Sequence, residues 1–208
     1  VLAARPLLDY VATAEKRSLL EYFLALYEQA VLPLLPHLRK SVNHNDGHER
    51  NVLVDFDYGN PRVTGLVDFG DAVYTATVNE VAIAAAYAGM QQADPLQAML
   101  DLVRGFHSVF PLEEKEFQVL FPLICARLVI SVGHSARNKQ EEPDNAYLQV
   151  SDRDAWALLE QFRDLSPTMA AARFRSACGL EPFPQRLVFA RWLSEACPTF
   201  HDVVQLEG

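Results

Sequence analysis

Basic residues are scarce in this chain. Its 208 residues include 18 Lys and Arg against 27 Asp and Glu, which gives a formal net charge of -9 at pH 7. Only four of the basic residues are lysine, and they form no basic run. Nucleic acids and anionic membrane surfaces bind clusters of Lys and Arg. The composition therefore excludes both as the main partner.

Cysteine is rare, and long apolar runs are missing. Cys125, Cys178 and Cys197 are far apart in the sequence, which predicts reduced thiols rather than a disulfide framework. No apolar run reaches the roughly 18 residues that a membrane span needs, and no signal segment opens the chain. We therefore expect a cytoplasmic protein. The chain begins at Val1 rather than Met, which predicts a fragment of a longer protein.

Hydrophobic residues make up 50% of the chain, enough for the core of one globular domain or one large lobe. Apolar residues recur at helical spacing over most of the chain, whereas two β-branched runs flank a turn at 57–61. The sequence predicts a helical bundle interrupted by a single β-hairpin. The predicted helices cover 14–32, 80–90, 95–110, 113–135, 151–165, 168–178 and 184–197, the predicted strands cover 52–56 and 62–69, and a loop is predicted over 137–145.

Two polar clusters adjoin the predicted hairpin. HNDGHERN, residues 44–51, precedes its first strand, and LVDFGD, residues 66–71, ends its second. Closing the hairpin would bring Asn51 and Asp68 side by side, with Asp46 projecting from the preceding loop. Such oxygen ligands suit Mg²⁺ when substrate phosphates complete its coordination. The spacing His-x-Asp-x4-Asn, followed by Asp-Phe-Gly, is that of a kinase catalytic loop and its metal-binding Asp.

Two longer segments carry a family resemblance. VNHNDGHERNVLV and VTGLVDFGDAVYTATVNEVAIAAAYA resemble the C-terminal lobe of the aminoglycoside phosphotransferase and choline kinase superfamily, most closely its hydroxylysine kinase-like branch. Similar segments also occur fused to pyridoxal-phosphate aminotransferases. The resemblance implies an α+β, mostly α fold over residues 1–208. It would be a protein-kinase-like C-terminal lobe, a helical bundle with one small β-hairpin, and the N-terminal lobe would be absent.

The resemblance also implies roles for the residues of the catalytic loop. Asp46 would accept or orient the proton of the substrate hydroxyl, while Asn51 and Asp68 would hold Mg²⁺ on the phosphates of ATP or GTP. His44 would organise the loop through hydrogen bonds. His48 stands where related kinases often carry a residue that approaches the γ-phosphate.

Other residues are assigned around the loop. Glu80 occupies a place where many relatives have an Asp that braces the catalytic loop. Arg127, in the middle of an apolar helix, could form an internal salt bridge or bind a substrate carboxylate. Asp71 and the loop 138–147 could meet the amine of the substrate. His134 is interpreted as a helix-face or surface residue.

The phosphate-covering lobe of this superfamily has no counterpart in the sequence. The chain contains no Gly-x-Gly, and none of its four Lys lies in a strand of the Val-Ala-Ile-Lys kind. We therefore expect a C-terminal lobe that needs its missing N-terminal lobe in cis and is inactive alone. The intact parent would phosphorylate a small amino-alcohol or hydroxy-amino-acid substrate.

Three other interpretations of these segments are considered against the kinase reading. The chain could be a non-catalytic substrate-binding or scaffolding module of an aminotransferase fusion protein. A zinc hydrolase site at His44 and His48 is disfavoured, because the zinc pair of His-Glu-x-x-His needs a helix and a Glu that are missing here. Residues 55–60 resemble the start of a calcium loop, but Gly59 comes too early and the twelfth position has no Glu, which favours a turn.

Overall fold

The computed structural model describes residues 1–57, 59–141 and 152–196. The predicted fold class, α+β and mostly α, is confirmed. The chain opens with a 3-10 helix, Leu2–Tyr10, and two further single 3-10 turns that matter below are Glu49–Asn51 and Phe69–Asp71. The helices are α1 (Ala14–Ala30), α2 (Val78–Gly89), α3 (Pro95–Val109), α4 (Glu114–Glu141), α5 (Asp152–Phe162), α6 (Pro167–Ala177) and α7 (Arg186–Ala196), and the strands are β1 (Lys40–Asn43), β2 (Val52–Asp57), β3 (Asn60–Leu66) and β4 (Val73–Ala76).

The predicted hairpin is confirmed as β2 and β3. The strands pair antiparallel, with Val52 opposite Leu66, and Gly59 in the turn has a φ of 83°. This positive φ favours glycine because a Cβ would be strained there. The strands β1 and β4 were not predicted. β1 and β4 form a second antiparallel pair, with Lys40 opposite Ala76, in the described part of the chain.

Helix α4 is the centre of the core. It packs against α1, α2, α5, α6 and the first 3-10 helix, and its side chains Phe117, Leu120, Phe121, Ile124 and Leu128 are almost fully buried. By length and composition α4 could cross a membrane, contrary to the expectation from the sequence. However, 72% of its most apolar window is buried inside the protein, as in the core helix of a globular domain. The buried Cys125 lies in the same helix, where burial raises the pKa of its thiol well above the ordinary value.

The loop predicted over 137–145 is wrong for residues 137–141, which are helical. Residues 137–141 continue α4 because their side chains have partners that favour the helix. Arg137 pairs with Glu141 one turn later at 3.7 Å, and Lys139 pairs with Asp152 at the start of α5. Residues 142–147 of the predicted substrate loop, like Cys197, lie outside the described residues.

Gly133 lets the first 3-10 helix lie directly on α4. A Cβ at Gly133 would come within 2.9 Å of the Leu7 Cβ, a distance that real Cβ contacts do not show. Gly133→Ala should therefore destabilise the chain by about 1–3 kcal/mol through overpacking. Urea unfolding would measure this change.

Gly105 in α3 provides the matched control, because a Cβ there meets nothing within 4 Å. Gly105→Ala should stabilise the chain by about 0.5–1 kcal/mol, the helix-propensity difference. Destabilisation of equal size in both variants would contradict close packing at Gly133.

Candidate active site

The first polar cluster forms the loop between β1 and β2, and α2 holds it in place. Asn45 has a φ of 65°, an unfavourable conformation for a residue with a side chain. Its backbone N–H donates to Glu80 Oε2 at 2.9 Å, and a Cβ at Gly47 would come within 3.0 Å of Glu80 Oε1. Glu80 therefore makes the contact with the loop that a bracing role requires, and Gly47 provides the space for it.

The Asp46 carboxylate accepts hydrogen bonds from two side chains. Its Oδ1 accepts from Arg127 Nη2 at 2.9 Å, and its Oδ2 accepts from Asn51 Nδ2 at 3.2 Å. Asn51 Nδ2 also donates to the Asp46 carbonyl at 2.9 Å. The Asp46 side chain is 20% exposed, so it is held in one orientation but still reached by solvent.

The hydrogen bonds of His48 define its tautomer. The Arg50 N–H donates to His48 Nδ1 at 3.2 Å, so Nδ1 carries no proton. The ring proton of the neutral form must then lie on Nε2, which is 3.3 Å from Asp46 Oδ2. The contact of 3.3 Å between His48 Nε2 and Asn51 Nδ2 joins two donors and is therefore no hydrogen bond. His48 thus places its Nε2 beside Oδ2 of Asp46.

His44 connects the loop to the second polar cluster. Its Nε2 donates to the Val67 carbonyl at 2.8 Å, and its ring meets the Phe69 ring edge-on with centroids 4.7 Å apart. The Val67 N–H donates to the Asn51 carbonyl at 3.0 Å, continuing the register of the hairpin. These contacts hold the segment that carries Asp68 against the catalytic loop.

Asn51 and Asp68 fit the donor set of a magnesium site. The Asn51 side chain uses its amide nitrogen in the loop, which leaves Oδ1 for a cation. Asp68 is exposed, has a φ of 62°, and its carboxylate makes no capping hydrogen bond. Within the described residues no group of three or more His, Cys, Asp or Glu could hold a metal alone. Two protein ligands suit Mg²⁺, which usually keeps waters and phosphate oxygens in its coordination shell.

Arg127 forms the internal salt bridge, the first of the two alternatives. Its Nη2 bonds both Asp46 and the Tyr87 hydroxyl, the latter at 2.7 Å, and its guanidinium lies 5.3 Å from the Tyr87 ring centre. The His48 ring lies 5.1 Å from the same Tyr87 ring. Arg127 Nε is buried without a hydrogen-bond partner in the described part of the chain. Arg127 and Tyr87 therefore bind Asp46 to α4 and α2.

A cleft of about 840 Å³ opens beside this cluster. The catalytic loop, the end of α2 and one face of α4 line it. The polar residues that line it are His48, Glu49, Arg50, Tyr87, Gln91, Gln92, Arg127, Ser131, His134, Ser135 and Asn138. Partial burial lowers the pKa of His134, and the positive charges of Arg137 and Arg127 lower it further.

The residues of the loop were predicted from the sequence, but most residues that line the cleft were not. Asp71 is exposed on the turn Phe69–Asp71 and does not line the cleft, so its role at a substrate amine stays a prediction. Asn138 does line the cleft, from α4 rather than from a loop. Tyr87 and His134 were missed. In the sequence each of them is only a polar side chain within a helix of apolar periodicity. This pattern does not indicate which neighbouring element the side chain faces.

Comparison with known proteins identifies the family of the chain. Residues 2–112 match the phosphotransferase enzyme family. The chain is 33% identical over 161 residues to hydroxylysine kinase of Mus musculus, an alignment that covers 74% of this chain and 43% of the mouse protein. It is 32% identical over 155 residues to hydroxylysine kinase of Bos taurus, covering 72% and 41%, and 31% identical over 163 residues to that of Xenopus laevis, covering 74% and 43%.

The chain spans less than half the length of these relatives. No solved structure matches it. The family match covers the loop 44–51, the hairpin and Asp68, whereas Arg127 and His134 lie beyond it. The chain therefore belongs to the phosphotransferase enzyme family, in its hydroxylysine kinase-like branch.

Proposed function

We propose that the intact protein is a kinase that transfers the γ-phosphoryl group of ATP or GTP to a hydroxyl group of a small amino alcohol or hydroxy-amino acid. The observation that carries the proposal is the position of Asp46. Its carboxylate pairs with Arg127, which lines the cleft, and hydrogen bonds through Asn51 and His44 connect its loop to the segment of Asp68. The relatives named hydroxylysine kinase support a hydroxy-amino acid as acceptor.

In this reaction the acceptor oxygen attacks the γ-phosphorus, and the bond from phosphorus to the β,γ-bridging oxygen breaks. The nucleoside diphosphate leaves, and Asp46 takes the proton of the hydroxyl. Arg127 donates to Oδ1 of Asp46 and Asn51 donates to Oδ2, with His48 Nε2 3.3 Å from Oδ2, so the carboxylate is oriented before the acceptor binds. This orientation reduces the reorganisation that the transition state would otherwise require.

Asn51 Oδ1 and the Asp68 carboxylate would hold Mg²⁺ on the phosphates, where the metal neutralises the charge of the transferring group. Asp68→Asn should therefore raise the Mg²⁺ concentration for half-maximal rate by at least roughly tenfold, since even losing a neighbour of a metal ligand costs that much affinity. A Mg²⁺ titration of the rate at saturating acceptor measures the shift. An unchanged titration would remove Asp68 from the metal site.

We further propose that residues outside this chain cover the nucleotide. The chain spans 41–43% of the relatives' lengths and contains no Gly-x-Gly. This chain alone should then turn over little. The missing N-terminal lobe, a possible fused aminotransferase domain and a cytoplasmic location stay predictions.

The test is a phosphoryl-transfer assay of the intact protein. It uses ATP and GTP as donors against a panel of amino alcohols, aminoglycosides and hydroxylysine, with this chain alone in parallel. We expect turnover of an amino alcohol or hydroxy-amino acid by the intact protein. No turnover of any acceptor would contradict the proposed function, and equal rates for this chain alone would contradict the need for a covering lobe.

A further inference from the structure

One side of α2 faces the catalytic loop. Glu80, Ala84 and Tyr87 are separated by steps of four and three residues, so they lie on the same side of the helix. The Asn45 N–H donates to Glu80 at 2.9 Å. A Cβ at Gly47 would lie 3.9 Å from the Ala84 Cβ. With a rise of about 1.5 Å per residue, Tyr87 lies about 10 Å along the axis from Glu80, so it meets a different part of the loop.

Tyr87 contacts both of the side chains that flank one carboxylate, that of Asp46. Its hydroxyl accepts from Arg127 Nη2 at 2.7 Å, and the guanidinium lies 5.3 Å from its ring centre. The His48 ring lies 5.1 Å from the Tyr87 ring. Arg127 Nη2 is 2.9 Å from Oδ1 of Asp46, and His48 Nε2 is 3.3 Å from Oδ2. Each oxygen of the carboxylate is therefore joined to Tyr87 through one intermediate side chain.

The Tyr87 hydroxyl determines how Arg127 is oriented. Nη2 makes both hydrogen bonds of the guanidinium, and Nε is buried without a partner in the described part of the chain. Without the hydroxyl, Asp46 would be the one hydrogen-bond partner left to Arg127 among residues 1–57, 59–141 and 152–196. A buried donor without a partner costs free energy, so a guanidinium released from Tyr87 would turn to hydrate its Nε. The orientation of Asp46 would change with it.

We propose that Tyr87 is a positioning residue for Asp46. It holds Arg127 and His48 at the two oxygens of the carboxylate, and it affects the rate through them rather than by touching the reacting atoms. This inference rests on the proposed kinase function, in which Asp46 takes the proton of the acceptor hydroxyl. Tyr87 would contribute because a small misplacement of the base lowers the rate of proton transfer.

Tyr87 also lines the cleft, so a contact between its hydroxyl and the acceptor is the competing interpretation. The two roles have different kinetic effects. A residue that binds the acceptor equally in the ground state and the transition state changes KM, whereas a residue that orients the base changes kcat.

The test replaces Tyr87 in the intact protein. Tyr87→Phe removes the hydroxyl and keeps the ring, and it should lower kcat about tenfold, the effect of losing one hydrogen bond to a charged group. KM for the acceptor and for the nucleotide should change less than about twofold. Tyr87→Leu should lower kcat further, because it also removes the ring that contacts Arg127 and His48. A raised acceptor KM with unchanged kcat in Tyr87→Phe would overturn the positioning role.

The matched control is Tyr22→Phe. Tyr22 is 43% exposed on α1, where its ring meets the Phe23 ring edge-on, and it does not line the cleft. Loss of its hydroxyl should leave kcat and both KM values unchanged. An equal loss of kcat in Tyr22→Phe and Tyr87→Phe would overturn the assignment to Tyr87.

A double variant tests whether Tyr87 acts through Asp46. In the Asp46→Asn background the base is already lost, so adding Tyr87→Phe should lower kcat less than about twofold. A structural effect of Tyr87 would not depend on which residue occupies position 46. A further tenfold loss in the double variant would therefore overturn the proposal.

One measurement does not depend on turnover. If the protein phosphorylates nothing, the kinase proposal fails, and crystal structures of the wild type and Tyr87→Leu still test the positioning. Movement of Arg127 Nη2 away from Asp46 Oδ1, beyond hydrogen-bond distance, would support it. The same contact of 2.9 Å in both proteins would overturn it.

Discussion

Replacing Asp46 with Asn should lower kcat of the intact protein by about 10²- to 10⁴-fold, the usual contribution of a positioned general base, which is the role proposed for Asp46. The amide keeps the shape of the carboxylate and an oxygen for Arg127, whose Nη2 lies 2.9 Å from Oδ1. It cannot take the proton of the acceptor hydroxyl. Because proton transfer belongs to the transition state, KM for the acceptor should change little. Steady-state kinetics with the best acceptor of the panel measure both constants.

The control for this prediction is Asp101→Asn. Asp101 is exposed on α3, where it pairs with Arg104 at 2.9 Å outside the cleft. Its replacement removes the same charge from the chain and should leave kcat unchanged. Full turnover by Asp46→Asn would show that another group takes the proton. A similar loss in both variants would point to a general effect of charge.

The hairpin could be predicted because its signals are local. Alternating β-branched residues define β2 and β3, and a turn with Gly59 connects them. The second sheet could not be predicted in this way. β1 and β4 have four residues each, and Asn43 pairs with Val73, thirty residues away in sequence. Such short strands form because tertiary packing brings them together, and the periodicity of the sequence does not indicate this packing.

The same limit applies to the site. The spacing of Asp46, Asn51 and Asp68 could be interpreted from the sequence because the hairpin pairs the residues next to Asn51 and Asp68. Arg127 left two interpretations open, since its partner lies 81 residues earlier in the chain. His134 was assigned to a helix face. Which helix faces the cleft depends on how α2 and α4 pack, which the sequence pattern does not specify.

A partly buried ion pair between Arg39 and Glu116 anchors the part of the fold that presents the loop 44–51. Arg39 immediately precedes β1, and its carbonyl accepts from the Thr77 N–H beyond β4 at 2.9 Å. Its Nε donates to Glu116 Oε1 at 3.0 Å and its Nη2 to Oε2 at 2.5 Å. This hydrogen bonding to Glu116 is the main cause of the raised pKa of Arg39. The pair fixes the β1–β4 sheet to the first turn of α4.

Arg39→Met should destabilise the chain by about 3 kcal/mol, because it leaves a buried charge without its partner. Glu116 is fully buried, and after the replacement the Glu113 N–H, at 2.7 Å, still donates to its carboxylate. The estimate is at the low end for a buried pair because the Arg39 side chain is 33% exposed. Urea unfolding at pH 7 measures the loss.

Two further variants decide whether the unpaired charge causes the loss. Arg104→Met removes an exposed pairing, with side chains 63% and 49% exposed, and should cost less than about 1 kcal/mol. The double variant Arg39→Met/Glu116→Met removes both charges and should recover most of the stability, since apolar residues of similar volume can replace a buried pair. Additive losses in the double variant would instead mean that the two residues contribute through separate packing contacts. The β1–β4 sheet would then not depend on this ion pair for its position on α4.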